Sequence, residues 1–235
     1  MFSKSAKFYD EIYSAIDKDY AAEARKARQF IRKHMRSSGK RLLDVACGTG
    51  LHAEEFFRWY QVDGLDLDAE MLKVARKNHP YIRFHQGDMA DFNLGKTFDA
   101  ITCLFSSIGY VKTIPRLRQA IRNMARHLSP GGVLLVEPWF SPGQWNVGRV
   151  NTIVIEKPAY KIVRMSRSAR KGKWSVLDFD YLIGTAEGIE HRSERHELGL
   201  FTHEEYLSAF RAAKLEVTHD PEGLDGRGLY IGTKA

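Results

Sequence analysis

The feature that most constrains this chain is a run of six residues, Arg41-Leu42-Leu43-Asp44-Val45-Ala46, stopped by Gly48-Thr49-Gly50 and followed by helical spacing over 51–60. A nearly continuous apolar run reads as a strand buried on both faces, and closely spaced glycines let the chain turn straight into a helix. The unit recurs. A second strand over 62–66 ends in Gly64-Leu65-Asp66-Leu67-Asp68, and Met71, Leu72 and Ala75 then mark the buried face of a helix that Asp68 can cap. Tyr81 to Gln86 predicts a third strand, ending at Gly87-Asp88, and Phe98 to Phe105 a fourth. The helix after Pro115 carries Leu117, Ile121, Met124 and Leu128 and breaks at Ser129-Pro130-Gly131-Gly132, before a fifth strand over Val133–Glu137. Strands alternating with helices in this way predict an α/β fold, a doubly wound parallel sheet covered on both faces.

The flanking segments have a different texture. Residues 9–36 predict a helix, best formed over Ala21 to Met35 and closed by Gly39. Thr152–Ile155, Lys161–Met165, Ser175–Ile183 and Ile189–Leu200 are extended and partly alternating, which predicts an antiparallel β insertion at about 150–200. A helix returns at 203–214 with Thr202 and Glu205 as a capping box, and Leu215–Thr218 with Leu229–Gly232 predict a closing hairpin. No linker composition interrupts residues 1–235, so one domain is expected.

Composition narrows the classes. The 36 Lys and Arg against 29 Asp and Glu give +7, a balance that permits a polyanionic partner without requiring one. The longest apolar runs, such as Val133 to Val136, fall far short of the roughly 18–20 residues a membrane helix needs. Met1-Phe2-Ser3-Lys4 leads into no secretory pattern. With only Cys47 and Cys103, neither a disulfide framework nor a cysteine zinc site is available, and a cytoplasmic setting without a metal is expected.

Ligands of open α/β sheets sit beyond the carboxyl ends of the strands. The glycine turn lets backbone approach a ligand at a helix N-terminus, Asp66 offers a carboxylate to the two hydroxyls of a ribose, and Asp88 can accept from an adenine amine. The turn also matches the Gly-x-Gly-x-x-Ala of a dinucleotide site through Gly48, Gly50 and Ala53. That alternative lacks separate residues for hydride chemistry and makes no use of Asp44 or of Asp88-Met89.

These residues, together with Phe98-Asp99-Ala100 and Leu128-Ser129-Pro130-Gly131-Gly132, resemble the class I S-adenosylmethionine (SAM) methyltransferases. The resemblance implies a seven-stranded sheet whose last strand runs antiparallel. It implies that Asp66 binds the ribose, that Asp88 and the Met89 amide read the adenine, and that Ala46, Gly48 and Gly50 surround the methionine part. Asp44, Cys47, Leu67, Met71 and Leu104 complete the implied cofactor set, with Tyr9 and Tyr20 covering the carboxylate end from an N-terminal lid over about 1–37. Ala46 departs from the glycine many members carry.

A closer similarity rests on Asp44-Val-Ala-Cys-Gly-Thr-Gly50, Gln86-Gly-Asp-Met89, Leu104-Phe-Ser-Ser-Ile-Gly-Tyr110, Val136-Glu-Pro-Trp139, Leu200-Phe201 and Gly226-Arg-Gly-Leu229. In these the chain resembles the N,N-dimethyltransferases of nucleotide-linked 3-amino sugars. This implies a dTDP-linked 3-amino-3,6-dideoxyhexose as acceptor and a homodimer. Methyl transfer from a sulfonium is an in-line displacement that needs alignment and dryness more than acid–base groups, but the attacking amine must be neutral. Tyr110, after the fourth strand, and His196, in the insertion, are the candidate catalytic residues, each also readable as a packing or hydrogen-bonding group. Arg227 between two glycines and Arg170 are candidates for the diphosphate, and Ser106 and Trp139 for the acceptor wall.

Three other readings compete. The basic run from Lys161 to Lys173 would suit a nucleic-acid methyltransferase, but Leu104-Phe105-Ser106-Ser107 lacks the Asn/Asp-Pro-Pro-aromatic pattern of base-amine methylation. A small-molecule O- or N-methyltransferase with another acceptor is the second, and a non-catalytic binding protein is opposed by the presence of both Asp66 and Asp88.

Overall fold

The computed structural model describes residues 5–16 and 18–235. Its elements run α1 (Tyr9–Ser14), α2 (Tyr20–His34), β1 (Arg41–Val45), α3 (Leu51–Phe57), β2 (Gln61–Asp66), α4 (Ala69–Asn78), β3 (Arg83–Gln86), β4 (Phe98–Cys103), α5 (Ile114–Arg126) and β5 (Leu128–Val136). There follow β6 (Val150–Glu156), β7 (Lys161–Lys171), β8 (Trp174–Thr185), β9 (Gly188–Gly199), α6 (His203–Ala212), β10 (Leu215–Asp220) and β11 (Leu229–Lys234). Short 3-10 turns precede α1 and follow β4.

A seven-stranded sheet has the order β10-β11-β5-β4-β1-β2-β3. β1 to β5 are parallel, and β11 enters antiparallel to both β5 and β10, so the sheet expected from the resemblance is present. Its strands are apolar on both sides because helices cover both faces: Leu43, Val45 and Ile101 pack with α5 and α6 residues such as Ile121 and Phe210, while Leu42, Ala100 and Leu135 pack with Ile31, Phe56 and Leu72. β6 to β9 form a separate antiparallel sheet over residues 150–199, matching the expected insertion. Its inner face buries Ile155, Ile162, Phe179, Tyr181 and Ile183 against Tyr9, Ile12 and Tyr13 of α1 and Met71 of α4. The N-terminal segment and the insertion together roof the carboxyl ends of the parallel strands.

Several boundaries differ from the sequence reading. The N-terminal helix is two helices, because Asp19 starts a new one by accepting the Ala22 N–H at 2.8 Å. It ends at His34 rather than at Gly39, whose place is set by a close approach instead: a Cβ there would collide with the Asp99 carboxylate, which accepts the Arg41 N–H. α3 stops at Phe57 rather than at 60, and β3 starts at Arg83 rather than at Tyr81. α5 stops at Arg126, and Leu128 already pairs with Phe98, so Ser129 to Gly132 form an irregularity inside β5 rather than a loop before it. Gly131 makes that detour with φ of +74° and its carbonyl accepts the Arg36 and Ser37 N–H groups. β4 ends at Cys103 rather than Phe105, since Phe105 and Ser106 adopt left-handed conformations at φ of +52° and +59°. Asp68 does cap α4, and Thr202 and Glu205 form the capping box of α6.

Candidate active site

At the strand tips the backbone does most of the shaping. After β1 the chain takes positive φ at Ala46 (+58°), Gly48 (+56°) and Gly50 (+89°), turning sharply into α3. The Asp66 carboxylate, buried at the end of β2, accepts the Gly48 N–H through Oδ2 and the Asp68 N–H through Oδ1, both at 2.8 Å. It thereby fixes the glycine turn and the start of α4 at once. Burial pushes its pKa up, and the two amides pull against that. Asp88 lies two residues beyond β3, with Oδ1 accepting the Ala90 N–H at 2.9 Å and Oδ2 paired with Arg116.

These groups open into a cavity of about 510 Å3. Ala46, Gly48, Asp66, Leu67 and Met71 form its floor with Asp88 and Met89; Leu67 turns an exposed side chain into it. Tyr9, Tyr13, Ile16 and Lys18 from the N-terminal segment close one side. Tyr110, Trp139 and Phe140 face Leu177, Phe179, His196 and Leu198 from the insertion on the other. A small recess beside it is lined by Tyr20, Asp44, Cys47, Leu104 and His52, and it shares Tyr9, Ala46 and Gly48 with the main cavity. Tyr20 Oη is buried there without a partner among the described residues, and the Asp44 carboxyl, pushed up to about 6 by burial, accepts from Thr102 Oγ1 at 2.8 Å.

The fold brings together the two catalytic candidates. Tyr110 Oη lies 2.7 Å from His196 Nδ1, across 86 residues of sequence. Burial pushes the phenol pKa up and the imidazole pKa down, so at neutral pH the phenol keeps its proton and the ring is uncharged. With hydrogen on His196 Nε2 the bond runs from Tyr110 O–H to Nδ1 and both phenol lone pairs stay open; with hydrogen on Nδ1 the ring donates to the phenol oxygen.

The substrate candidates fare unevenly. Trp139 lines the cavity, with Nε1 donating to Ser175 Oγ at 2.8 Å. Arg227 lines it too, but its guanidinium already meets Asp225 at 3.0 Å, Ser106 Oγ at 3.0 Å and Glu137 at 3.8 Å. Ser106 lies behind the wall, donating to the Pro138 carbonyl at 2.7 Å. Arg170 is carried elsewhere: it is exposed at the turn between β7 and β8, donating to the Gly172 and Pro142 carbonyls, and does not line the cavity. Its expected diphosphate role is withdrawn.

Sequence reasoning missed several members of the site. Phe105 is turned into the cavity by the left-handed pair at Phe105 and Ser106, which is held by Glu137 Oε2 accepting the Phe105 N–H at 2.6 Å. Glu137 is fully buried, and burial pushes its pKa up to about 8 against the pull of Arg227. The strand-end motif Val136-Glu137-Pro138-Trp139 contained it, but only Trp139 was given a role. Glu23 and Lys18 pair at the cavity edge, and His52 Nε2 meets Glu23 at 2.8 Å. No local pattern distinguishes this buried pair from an ordinary helical Glu and a loop Lys.

Residues 42–132, from β1 into β5, match the family model described as a methyltransferase domain. Over 229 residues the chain is 41% identical to dTDP-3-amino-3,6-dideoxy-alpha-D-glucopyranose N,N-dimethyltransferase of Streptomyces fradiae, covering 97% of this chain and 89% of that one. The crystal structure of Streptomyces venezuelae DesVI is 40% identical and superposes with a TM-score of 0.93, covering 98% of each chain. SAM-bound CalS10, an amino pentose methyltransferase from Micromonospora echinaspora, is also 40% identical, with a TM-score of 0.87 over 97% of this chain and 96% of that one. Backbone turns and carboxylates at the tips of β1, β2 and β3, joined to this likeness along nearly the whole chain, show that it belongs to the SAM-dependent methyltransferases, in the branch that includes sugar N,N-dimethyltransferases.

Proposed function

We propose that the protein methylates the amine of a dTDP-linked 3-amino-3,6-dideoxyhexose, and that the Tyr110–His196 pair orients that amine. The observation that carries the acceptor side is the Tyr110 hydroxyl on the cavity wall, 2.7 Å from His196 Nδ1, with burial holding its proton in place. The likeness to sugar N,N-dimethyltransferases along nearly the whole chain supplies the acceptor class.

The donor side fits SAM. Asp66 uses one lone-pair direction on each oxygen for an amide and retains others for ribose hydroxyls. Gly48 holds φ of +56°, which glycine adopts without strain, and a Cβ there would press on Met71 Cε at 3.2 Å. The buried Tyr20 hydroxyl beside the turn, without a partner among the described residues, suits the carboxylate end of the methionine part, Leu67 and Met89 suit the adenine faces, and Asp88 its amine. SAM supplies an electrophilic methyl whose leaving group is a neutral thioether, so no acid is needed.

What the chain must do is hold a neutral amine in line and keep water out. Phe105, Phe179, Leu177 and Leu198 make that region apolar, which disfavours an ammonium. An amine N–H donating to Tyr110 Oη directs its lone pair away from the phenol and toward the methyl. As the N–C bond forms and the C–S bond breaks, the surplus amine proton passes to Tyr110 Oη while the phenol proton moves to His196 Nδ1, and then to water. Arg227, with donors beyond those on Asp225 and Ser106, is assigned the acceptor's diphosphate. Residues 5–16 serve as a lid, a shorter span than 1–37 because α2 is packed on the sheet through Ala24, Ala27 and Ile31 and residues 1–4 lie outside the described ones; the lid is tied to the glycine turn by the Asp10–Thr49 hydrogen bond and to the insertion by Tyr160 donating to Glu11 at 2.8 Å.

Among the described residues no helix is long and apolar enough to cross a membrane. The same reading places the enzyme in the cytoplasm, where Cys47 and Cys103 stay reduced, and pairs two copies; sedimentation velocity checks the second point. The deciding experiment is mass spectrometry of products from SAM and dTDP-3-amino-3,6-dideoxyglucose. Singly and doubly methylated sugar supports the assignment, and recovery of unmodified acceptor with SAM-saturated protein overturns it.

A further inference from the structure

β9 carries a second polar residue two positions before His196. Alternation along a strand puts Glu194 on the same inner face, opposite Phe179, as His196 stands opposite Leu177. Glu194 is buried and its carboxylate is heavily used. Oε1 accepts the Ser5 N–H at 3.0 Å, while Oε2 accepts Ser5 Oγ at 2.8 Å and the Tyr181 hydroxyl at 3.3 Å. Oε2 also lies 3.6 Å from His196 Nε2. On the far side of that ring Nδ1 meets Tyr110 at 2.7 Å. One carboxylate thus touches the N-terminal segment directly and the cavity wall through an imidazole.

We propose that Glu194 is a positioning residue for methyl transfer. Held by Ser5, it fixes His196 as the neutral ring with hydrogen on Nε2, because a carboxylate beside Nε2 favours a proton there and opposes a lone pair. Nδ1 is then left as an acceptor, Tyr110 must donate to it, and the phenol oxygen keeps its lone pairs on the cavity side. When the relay puts a proton on His196, the same carboxylate stabilises the imidazolium. Because Ser5 belongs to the segment that also binds the glycine turn through Asp10 and Thr49, docking of that segment over the donor end and alignment of the phenol at the acceptor end become one event. The inference rests on the assignment of Tyr110 and His196 above.

The test is Glu194→Gln, whose amide places N–H groups where the carboxylate offers lone pairs, with Glu194→Asp as the conservative variant. In wild type, 15N NMR of the His196 ring should show the neutral form protonated on Nε2. In Glu194→Gln that pattern should give way to a mixture, kcat with dTDP-3-amino-3,6-dideoxyglucose should fall roughly tenfold or more while the SAM KM stays within about twofold, and Glu194→Asp should regain part of the loss. An unchanged ring tautomer with unchanged kcat overturns the proposal, as does a fall in thermal stability alone. Should Glu194→Gln not fold, Ser5→Ala is read the same way: a several-fold lower kcat at unchanged SAM affinity supports the coupling, and wild-type kcat refutes it. If wild type itself leaves this sugar unmethylated, the functional assignment fails, and the ring tautomer in the two variants still decides the role of Glu194.

Discussion

The floor and the far wall of the cavity are made by different means. On the floor, backbone conformation does the shaping: positive φ at Ala46, Gly48 and Gly50, amides fixed by Asp66, and a carboxylate two residues past β3. On the far wall, side chains do it: Tyr110 from the turn after β4, Trp139 from the end of β5, and Phe179, His196 and Leu198 from the insertion. The floor's parts lie within about forty residues of one another, each attached to its own strand end. The wall exists only where two sheets meet. Under the proposed function the donor is held by local structure at the strand tips, and the acceptor by side chains that only tertiary packing brings together.

The division can be broken in order of severity. Asp66→Ala removes both amide acceptors and the proposed ribose partner, so SAM affinity measured by calorimetry should fall by at least about 100-fold, with the acceptor KM nearly unmoved; equal titrations for variant and wild type remove Asp66 from the donor site. Tyr110→Phe keeps the ring and deletes the hydroxyl. Steady-state kcat should drop roughly tenfold to 100-fold without loss of SAM binding, and a matching loss of SAM affinity would show that floor and wall are not separable.

The third prediction concerns pH. The folded pKa of Glu137, about 8, lies above the ordinary glutamate value of 4.5, so the unfolded state holds fewer protons between those values. Its contribution to stability is complete below about 4.5 and is lost as pH rises through 8. Glu137→Gln keeps an oxygen for the Phe105 N–H and has nothing to ionise, so its Tm should fall less than that of wild type between pH 6 and 9; parallel curves would remove Glu137 as the source. Arg227→Ala should raise the acceptor KM several-fold, about 1 kcal/mol, because the guanidinium is already shared with Asp225 and Ser106. The smallest effect is expected at Ala46→Gly. Relief of a left-handed alanine, worth ~1–2 kcal/mol, is set against the added chain entropy of glycine, about 1 kcal/mol, so Tm by calorimetry should change by only a few degrees.

Legibility followed the same division. The turn at Gly48 and Gly50, Asp66 at the end of β2 and the cap at Asp68 were readable because each depends on neighbours within a few residues. Tyr110 and His196 were found separately, and nothing in the sequence said they would touch. Arg170 was misplaced because a flexible arginine on a basic run carries no directional signal, and the β7–β8 register turned it toward Gly172. Glu194 stood two residues from a chosen histidine and was passed over, since a glutamate in an exposed-looking strand is ordinarily solvated.

The sequence alone determined that five strands stand in series with helices after the first, second and fourth, that their tips carry acids and glycines, and that an adenosyl donor belongs there, because strand burial, turn chemistry and helix capping are short-range physics. Tertiary structure alone decided which hydroxyl faces which imidazole, which cations are already paired, and where the N-terminal segment is anchored. Those contacts join residues as distant as Ser5 and Glu194, 189 positions apart, and their distances are set by how two sheets and a helical segment pack, which no local pattern encodes.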